Sequence, residues 1–314
     1  MSLYLGLDTS NYTTSVAVYD SENGQVTQAK KLLPVKFGEK GLRQSDAVFH
    51  HTVQLPEVLS QLEIKTLSGI GVSVKPRNAE GSYMPCFLCG AGTAQMFGQI
   101  LGIPVYQTSH QTGHILAGLY SAGKLNWISK RFLAFHVSGG TTDCVLCEPE
   151  SRPDFMKITP VSSSLDLKAG QLIDRVGLML GLQFPCGAEL EKLAVQSQKT
   201  FRYKPVMKQL DCCLSGLENQ CANMLKQPEY QSCDIALFCL TAIAEVLQNM
   251  THEALKFYPD LPVLYAGGVM SDKYIQNLLK KNIRTETAFA EPAFSCDNAV
   301  GTAVYASLCH ADCY

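Results

Sequence analysis

The chain has 314 residues, 46% of them hydrophobic and 17% charged, with 26 basic against 28 acidic side chains for a net charge of −2. That length and apolar content suit two domains with large cores and exclude a disordered or tail-rich chain. The near-balanced charge excludes nucleic-acid binding through a global field, so an RNA substrate requires a local basic patch or a partner protein.

The N-terminus, MSLYLGLDTS, has no basic start, long apolar run or small-residue cleavage site, so it is not read as a signal peptide. No run of about 18 or more apolar residues is found, and no membrane span or membrane partner is expected. Thirteen cysteines without a secretion signal point to a reducing, cytoplasmic compartment. The pairs Cys86/Cys89 and Cys144/Cys147 have zinc-ribbon spacing, but buried free thiols are the better reading.

Residues 3–8 (LYLGLD) predict a strand, TSNYTT a polar turn and SVAVYD a second strand. Ser45 is placed as the cap of a helix carrying Val48, Leu55, Val58, Leu59 and Leu62, with Pro56 expected to bend it. Residues 69–74 predict a buried strand, 90–101 a helix, 103–106 a strand, and His110 to Leu119 a helix. At 132–147 the strand–turn–strand pattern returns as FLAFHV, SGGTT and DCVLC, about 130 residues after its first appearance, which predicts two related lobes. Helices follow at 170–182, 188–198 and 234–257, then a strand at 262–266 and helices at 271–281 and 298–309. The alternation gives an α/β class.

Two glycine turns stand at predicted strand ends, Gly139-Gly140 before Thr141-Thr142 and Gly267-Gly268 before a helix. Glycine lets backbone N–H groups approach an anion, and strand ends are where open α/β sheets take ligands, so the pair predicts a nucleotide cleft. His110 and His114, four apart, share one helix face and suit a metal, although the spacing alone favours two ordinary histidines near a helix start. Gln111 stands where a zinc protease carries its glutamate base, which speaks against a peptidase. Asp297 is locally read as a helix N-cap. Asp174, among apolar neighbours, is read either as a partner of Arg175 or as a ligand for a hydroxyl.

Taken in order, LGLDTSNYTTSVAVYD, TSHQTGHILA, HVSGGTTDCVL, GQLIDRVGLMLGLQFPCGAELEKLA, CLSGLEN, AGGV and SCDNAVGTAVYA resemble the motifs of the TsaD family, formerly termed O-sialoglycoprotein endopeptidases or M22 peptidases. The resemblance implies an actin-like (ASKHA) α/β fold of two related lobes with a cleft between them. The lobes are drawn at 1–122 plus 295–314 and at 123–294, the second with a helical insertion at about 165–230. It implies transfer of threonylcarbamoyl from threonylcarbamoyl-AMP to N6 of adenosine 37 of tRNA. The implied metal ligands are His110, His114 and Asp297, for iron or zinc. The implied nucleotide contacts are Val137, Ser138, Gly139, Gly140, Thr141, Asp174, Gly187, Gly267, Gly268 and Asp272. A TsaB-like subunit is the implied protein partner. Several positions depart from the family pattern: the first loop lacks its Asp-Glu pair, Thr112 replaces a glutamate, Thr141 a histidine, Cys186 a glycine and Asp272 an asparagine. These departures keep a second reading open, a non-catalytic or differently specific nucleotide- and metal-binding paralogue: a regulatory subunit or a small-molecule carbamoyltransferase.

Overall fold

The computed structural model describes residues 2–10, 12–34, 42–151 and 155–311. Asn11, in the predicted first turn, lies outside them. The chain forms two compact units: Met1–Leu125 with Glu150–Met156 and Cys296–Tyr314, and Asn126–Pro149 with Lys157–Ser295.

In chain order the first unit contains β1 (Leu3–Asp8), β2 (Thr13–Asp20), β3 (Val26–Leu32), α1 (Gln44–Leu59), β4 (Leu67–Lys75), α2 (Phe87–Leu101), β5 (Val105–Ser109) and α3 (His110–Ser121). The second follows with β6 (Phe132–Val137), β7 (Thr142–Pro149), β8 (Met156–Ser163), α4 (Ala169–Met179), α5 (Gly187–Ala194), β9 (Val206–Lys208), β10 (Asp211–Cys213), α6 (Ser215–Met224), α7 (Ser232–Phe257), β11 (Val263–Ala266), α8 (Lys273–Asn282) and β12 (Thr287–Phe289). The last helix, α9 (Val300–Ala311), belongs to the first unit.

One sheet is ordered β3-β2-β1-β4-β5 and the other β8-β7-β6-β11-β12. In each, an antiparallel hairpin (β1/β2 or β6/β7) is joined by two parallel strands (β4 and β5, or β11 and β12). This repeated topology is the duplication that the two hairpin-like sequences predict.

Every residue of β1 is buried, because helices cover both faces of the first sheet. On one face Gly90 of α2 lies against Thr9 and Val72. On the other α9 lies directly on backbone: an ideal Cβ on Gly6 would stand 2.2 Å from the Ala299 carbonyl oxygen, and one on Gly71 1.9 Å from that of Thr302. Only glycine permits that approach. β3, with Lys30 and Lys31 exposed, forms a polar edge, the usual protection against strand addition. Its lack of an apolar stripe hides it from periodicity.

In the second unit Phe135, Tyr265 and Phe289 stack across β6, β11 and β12 with ring centroids 5.1 and 5.0 Å apart. The Tyr265 hydroxyl bonds Thr251 of α7 at 2.7 Å, tying that helix to the sheet. Among the described residues α7 alone is long and apolar enough to cross a membrane, and 78% of its apolar stretch is buried in the protein core.

Several expected boundaries shift. The N-cap of α1 is Arg43 rather than Ser45, which falls within the first turn. β5 begins at Val105 and runs to Ser109, so the strand leads directly into α3. α5 ends at Ala194 instead of 198, as the chain turns at Val195. Cys144 and Cys147 are fully buried in β7, where burial pushes both thiols upward, and the described cysteines are free thiols.

Under β2, the Thr14 hydroxyl bonds His51 Nδ1 at 2.8 Å and Gln54 Oε1 at 3.0 Å. His51 is fully buried; that burial, with His50 adding repulsion against an opposing pull from Asp8, lowers its pKa to about 4 from 6.5. Because the unfolded chain binds the proton more readily, stability is complete above pH 6.5 and declines as pH falls towards 4, by about 3 kcal/mol in all. His110, raised to about 10, is protonated throughout in the folded chain but only below about pH 6.5 in the unfolded one, so it offsets the His51 effect near pH 6.5 and ceases to do so further down. Urea midpoints are expected to change little from pH 7 to 6, to fall steeply from pH 6 to 4.5 for the native chain, and to flatten over that lower range for His51→Gln.

Candidate metal centre and strand-end turns

The first cluster is built where β5 runs into α3. Ser109 ends the strand and caps the helix, its hydroxyl accepting the Thr112 N–H at 3.1 Å. His110 and His114 then lie one turn apart, their rings edge to face with centroids 4.3 Å apart. The third member comes from the far end of the sequence. Gly301 of α9 abuts the backbone of Gly113 so closely that an added Cβ would stand 1.8 Å from its carbonyl oxygen. This crossing brings the segment before α9 over the first turn of α3.

Asp297 is not the cap of α9, which starts at Val300. The cap position is Ala299, and the side chain that meets the helix start is that of Asn298, whose Oδ1 accepts the Val300 N–H at 3.0 Å. The Asp297 carboxylate is thereby left to the histidines: Oδ1 lies 3.2 Å from His114 Nε2 and 3.5 Å from His110 Nε2. The donor atoms of His110, His114 and Asp297 all lie within 4.8 Å of one another. Their side chains are 20%, 10% and 27% exposed, so the cluster is enclosed but reachable.

A fourth residue, which the sequence motifs did not single out, completes the arrangement. Asp8, at the end of β1 and 1% exposed, receives His110 Nδ1 on Oδ2 at 2.8 Å and the Ser10 N–H on Oδ1 at 2.8 Å. The only sequence signal for it is a carboxylate closing a wholly apolar strand. Burial opposes the charges here, but the Asp8 carboxylate, with help from Asp297, lifts His110 to about 10. Burial likewise opposes ionisation of Asp297, yet hydrogen bonds and charge from His110 and His114 hold it well below the usual carboxylate range. Two imidazoles and a carboxylate, with an ionised carboxylate behind one ring, form a donor set suited to iron(II) or zinc.

In the second unit the two glycine turns stand side by side at the ends of the adjacent parallel strands β6 and β11. Gly267, with φ 102°, lies against Val137, where an added Cβ would be 2.3 Å from the carbonyl oxygen. Around Gly139, Gly140 and Gly268 an added Cβ meets nothing within 4 Å, so these backbones are open to an approaching group. The Ser138 hydroxyl bonds the N–H groups of Gly140 at 3.3 Å and Thr141 at 3.2 Å, holding the turn from within. Gly170 of α4 packs on Gly139, and the Thr142 hydroxyl accepts the Ala169 N–H at 2.9 Å.

The other residues in the nucleotide set have structural ties. Asp174 accepts the Cys186 N–H at 2.9 Å and so joins α4 to the start of α5 at Gly187, while Arg175 pairs with Glu218 at 2.8 Å. Asp272 caps α8 through the Ile275 N–H at 2.9 Å. Burial, with Glu191 nearby, raises Asp272 to about 6. Glu191 accepts the Lys273 N–H at 2.7 Å, so two carboxylates occupy the N-terminal end of α8.

Comparison with known proteins adds to this geometry. The family model described as "TsaD: tRNA N6-adenosine threonylcarbamoyltransferase" matches residues 39–304. A tRNA N6-adenosine threonylcarbamoyltransferase of Streptococcus pneumoniae (strain Taiwan19F-14) is 27% identical over 320 residues, covering 97% of this chain and 91% of the relative. Among solved structures, T. kodakarensis HypF is similar at a TM-score of 0.59 and 12% identity, over 98% of this chain and 46% of that one. The activator of the 2-hydroxyisocaproyl-CoA dehydratase from Clostridium difficile, solved with bound ADPNP, is similar at a TM-score of 0.55 and 12% identity, over 99% of this chain and 96% of that one. At those identities the structural likeness speaks for the fold, which is that of the actin-like ATPases, α/β with two related sheets.

Proposed function

The chain belongs to the TsaD family of tRNA N6-adenosine threonylcarbamoyltransferases, and from that membership we propose that it transfers threonylcarbamoyl from threonylcarbamoyl-AMP to N6 of adenosine 37 of tRNA. The observation that carries the reading is the convergence of His110, His114 and Asp297, two segments far apart in the chain, on one small volume. In the proposed reaction the adenine amine forms a bond to the carbamoyl carbon, the bond from that carbon to the phosphate oxygen breaks, AMP leaves with the electron pair, and one proton is released. His110, His114 and Asp297 would hold one divalent metal, iron or zinc, which supplies Lewis-acid polarisation or orientation of the acyl-adenylate.

The chain's own residues do the positioning. His110 and His114 are fixed one helical turn apart by the Ser109 cap, and Asp297 is released for them by Asn298. In the second unit Gly139, Gly140 and Gly268 offer open backbone at the ends of adjacent parallel strands, as suits a phosphate or adenosine group, and Val137, Ser138, Thr141 and Gly267 frame those turns. Asp174 and Gly187 are assigned to the same ligand through the α4–α5 junction. Because leaving AMP requires no strong acid, the protein's contribution is largely orientation. The chain's net charge of −2 gives no attractive global field, so recruitment of tRNA, in the cytoplasm, is assigned to a local patch or to a TsaB-like subunit.

A second reading is favoured by one specific feature. The carboxylates of Asp272 and Glu191 occupy the start of α8, where an anionic ligand would otherwise find free N–H groups. That supports a paralogue with a different ligand, or a non-catalytic regulatory subunit, that keeps the metal centre. Mass spectrometry of tRNA nucleosides from a strain lacking its own TsaD separates the two. Restoration of threonylcarbamoyladenosine by this chain is expected under the first reading. Its absence, with the metal still bound, would favour the second.

A further inference from the structure

Asp8 lies in a polar row that the apolar pattern of β1 conceals. Gly6 pairs with Ala17 and with Gly71, and Gly71 pairs with Tyr106, so this face of the sheet carries α9 on small residues. Two residues further along the strands, on the same face, stand Ser15, Asp8, Ser73 and Thr108; Ser15 pairs with Asp8 and Ser73 with Thr108. Ser15, Ser73 and Thr108 are all buried, and each hydroxyl is without a hydrogen-bond partner among the described residues. Buried hydroxyls of this kind retain hydrogen-bonding capacity that packing alone does not require. Asp8 is the charged member of the row and the one that touches the metal cluster.

We propose that Asp8 is a positioning residue: its carboxylate fixes the orientation and tautomer of His110, so that Nε2 is presented beside His114 and Asp297 as a metal donor. The inference rests on the metal reading above and assigns a role to a residue outside the ligand set. An ionised carboxylate only accepts hydrogen bonds, so the ring atom 2.8 Å from Asp8 Oδ2, His110 Nδ1, carries the proton. In a ring that has one proton left, Nε2 then holds the lone pair. The aim is right as well, since that nitrogen lies 3.5 Å from Asp297 Oδ1, the oxygen that also meets His114 Nε2 at 3.2 Å. Asp8 is itself immobilised by the Ser10 N–H and by complete burial, so the ring is held from the protein side. A carboxylate behind a metal-bound imidazole raises its basicity and keeps it from rotating.

The test uses Co2+ as a visible probe, titrated into the full-length purified chain. Asp8→Asn keeps size and shape, but its amide can offer an N–H to Nδ1 and so place the ring proton on Nε2. The expected result is Co2+ affinity weakened by about 10–100-fold, with altered visible absorption bands. Asp8→Glu, which keeps the carboxylate, is expected to recover most of the loss. Unchanged affinity and spectrum in Asp8→Asn, in a chain whose native binding is abolished by His114→Ala, would overturn the positioning role and leave the metal reading intact. No Co2+ uptake by the native chain would overturn both. Should Asp8→Asn not fold, nitrogen-15 NMR of the native chain loaded with Zn2+ still decides: a proton on His110 Nδ1 is expected, and one on Nε2 refutes the proposal.

Discussion

Alanine in place of His114, or asparagine in place of Asp297, is expected to remove stoichiometric metal from the purified chain and to abolish any rescue of tRNA modification. Each substitution deletes one of three converging donors. The loss is expected to exceed the about 10–100-fold typical of removing an outer partner of a metal-bound histidine. Elemental analysis reads the first effect and nucleoside mass spectrometry the second. Asp297 and the two histidines also hold one another by hydrogen bonds and charge, so some loss of thermal stability of the metal-free chain is expected alongside the loss of metal. A variant that stays folded and keeps its metal would remove the basis of the proposed function.

Gly301→Ala is expected to be the most damaging small substitution in the first unit. The added methyl would stand 1.8 Å from the Gly113 carbonyl oxygen and 2.6 Å from its carbon, and neither atom belongs to a side chain that can turn aside. α9 must therefore move away from α3. A loss of about 3 kcal/mol, at the upper end for overpacked cores, is expected in urea unfolding. The same movement carries Asp297, four residues earlier, away from His110 and His114, so metal uptake falls with stability. Gly92→Ala in α2 is the control: its Cβ meets nothing within 4 Å, and alanine at a helix interior is expected to stabilise by about 0.5–1 kcal/mol.

Much of the fold was legible because apolar runs and turn residues repeat on a local scale. LYLGLD is buried along its length and FLAFHV at all but His136, so both read as strands, and their polar successors read as turns. β3 and β12 escaped because an edge strand and a three-residue strand carry too little periodic signal. The helix start at Gln44 escaped because its cap makes no side-chain hydrogen bond to the first turn. At the metal centre the histidine spacing was visible, whereas the local sequence around Asp297 favoured a helix cap. The neighbouring Asn298 is the side chain that bonds the helix start instead, a distinction that rests on side-chain direction rather than composition.

By itself the sequence determined the α/β class, the paired hairpins, the family motifs and the helix face that carries His110 and His114, all of which follow from spacing along one chain. Family resemblance had already implied Asp297, 183 residues after His114, as a third ligand; tertiary structure alone decided that Asp8, 102 residues before His110, meets that ring. The physical reason is close backbone packing: Gly6, Gly71 and Gly301 let α9 settle against the sheet and α3 at distances no side chain permits. Which carboxylate reaches which nitrogen is a consequence of that approach.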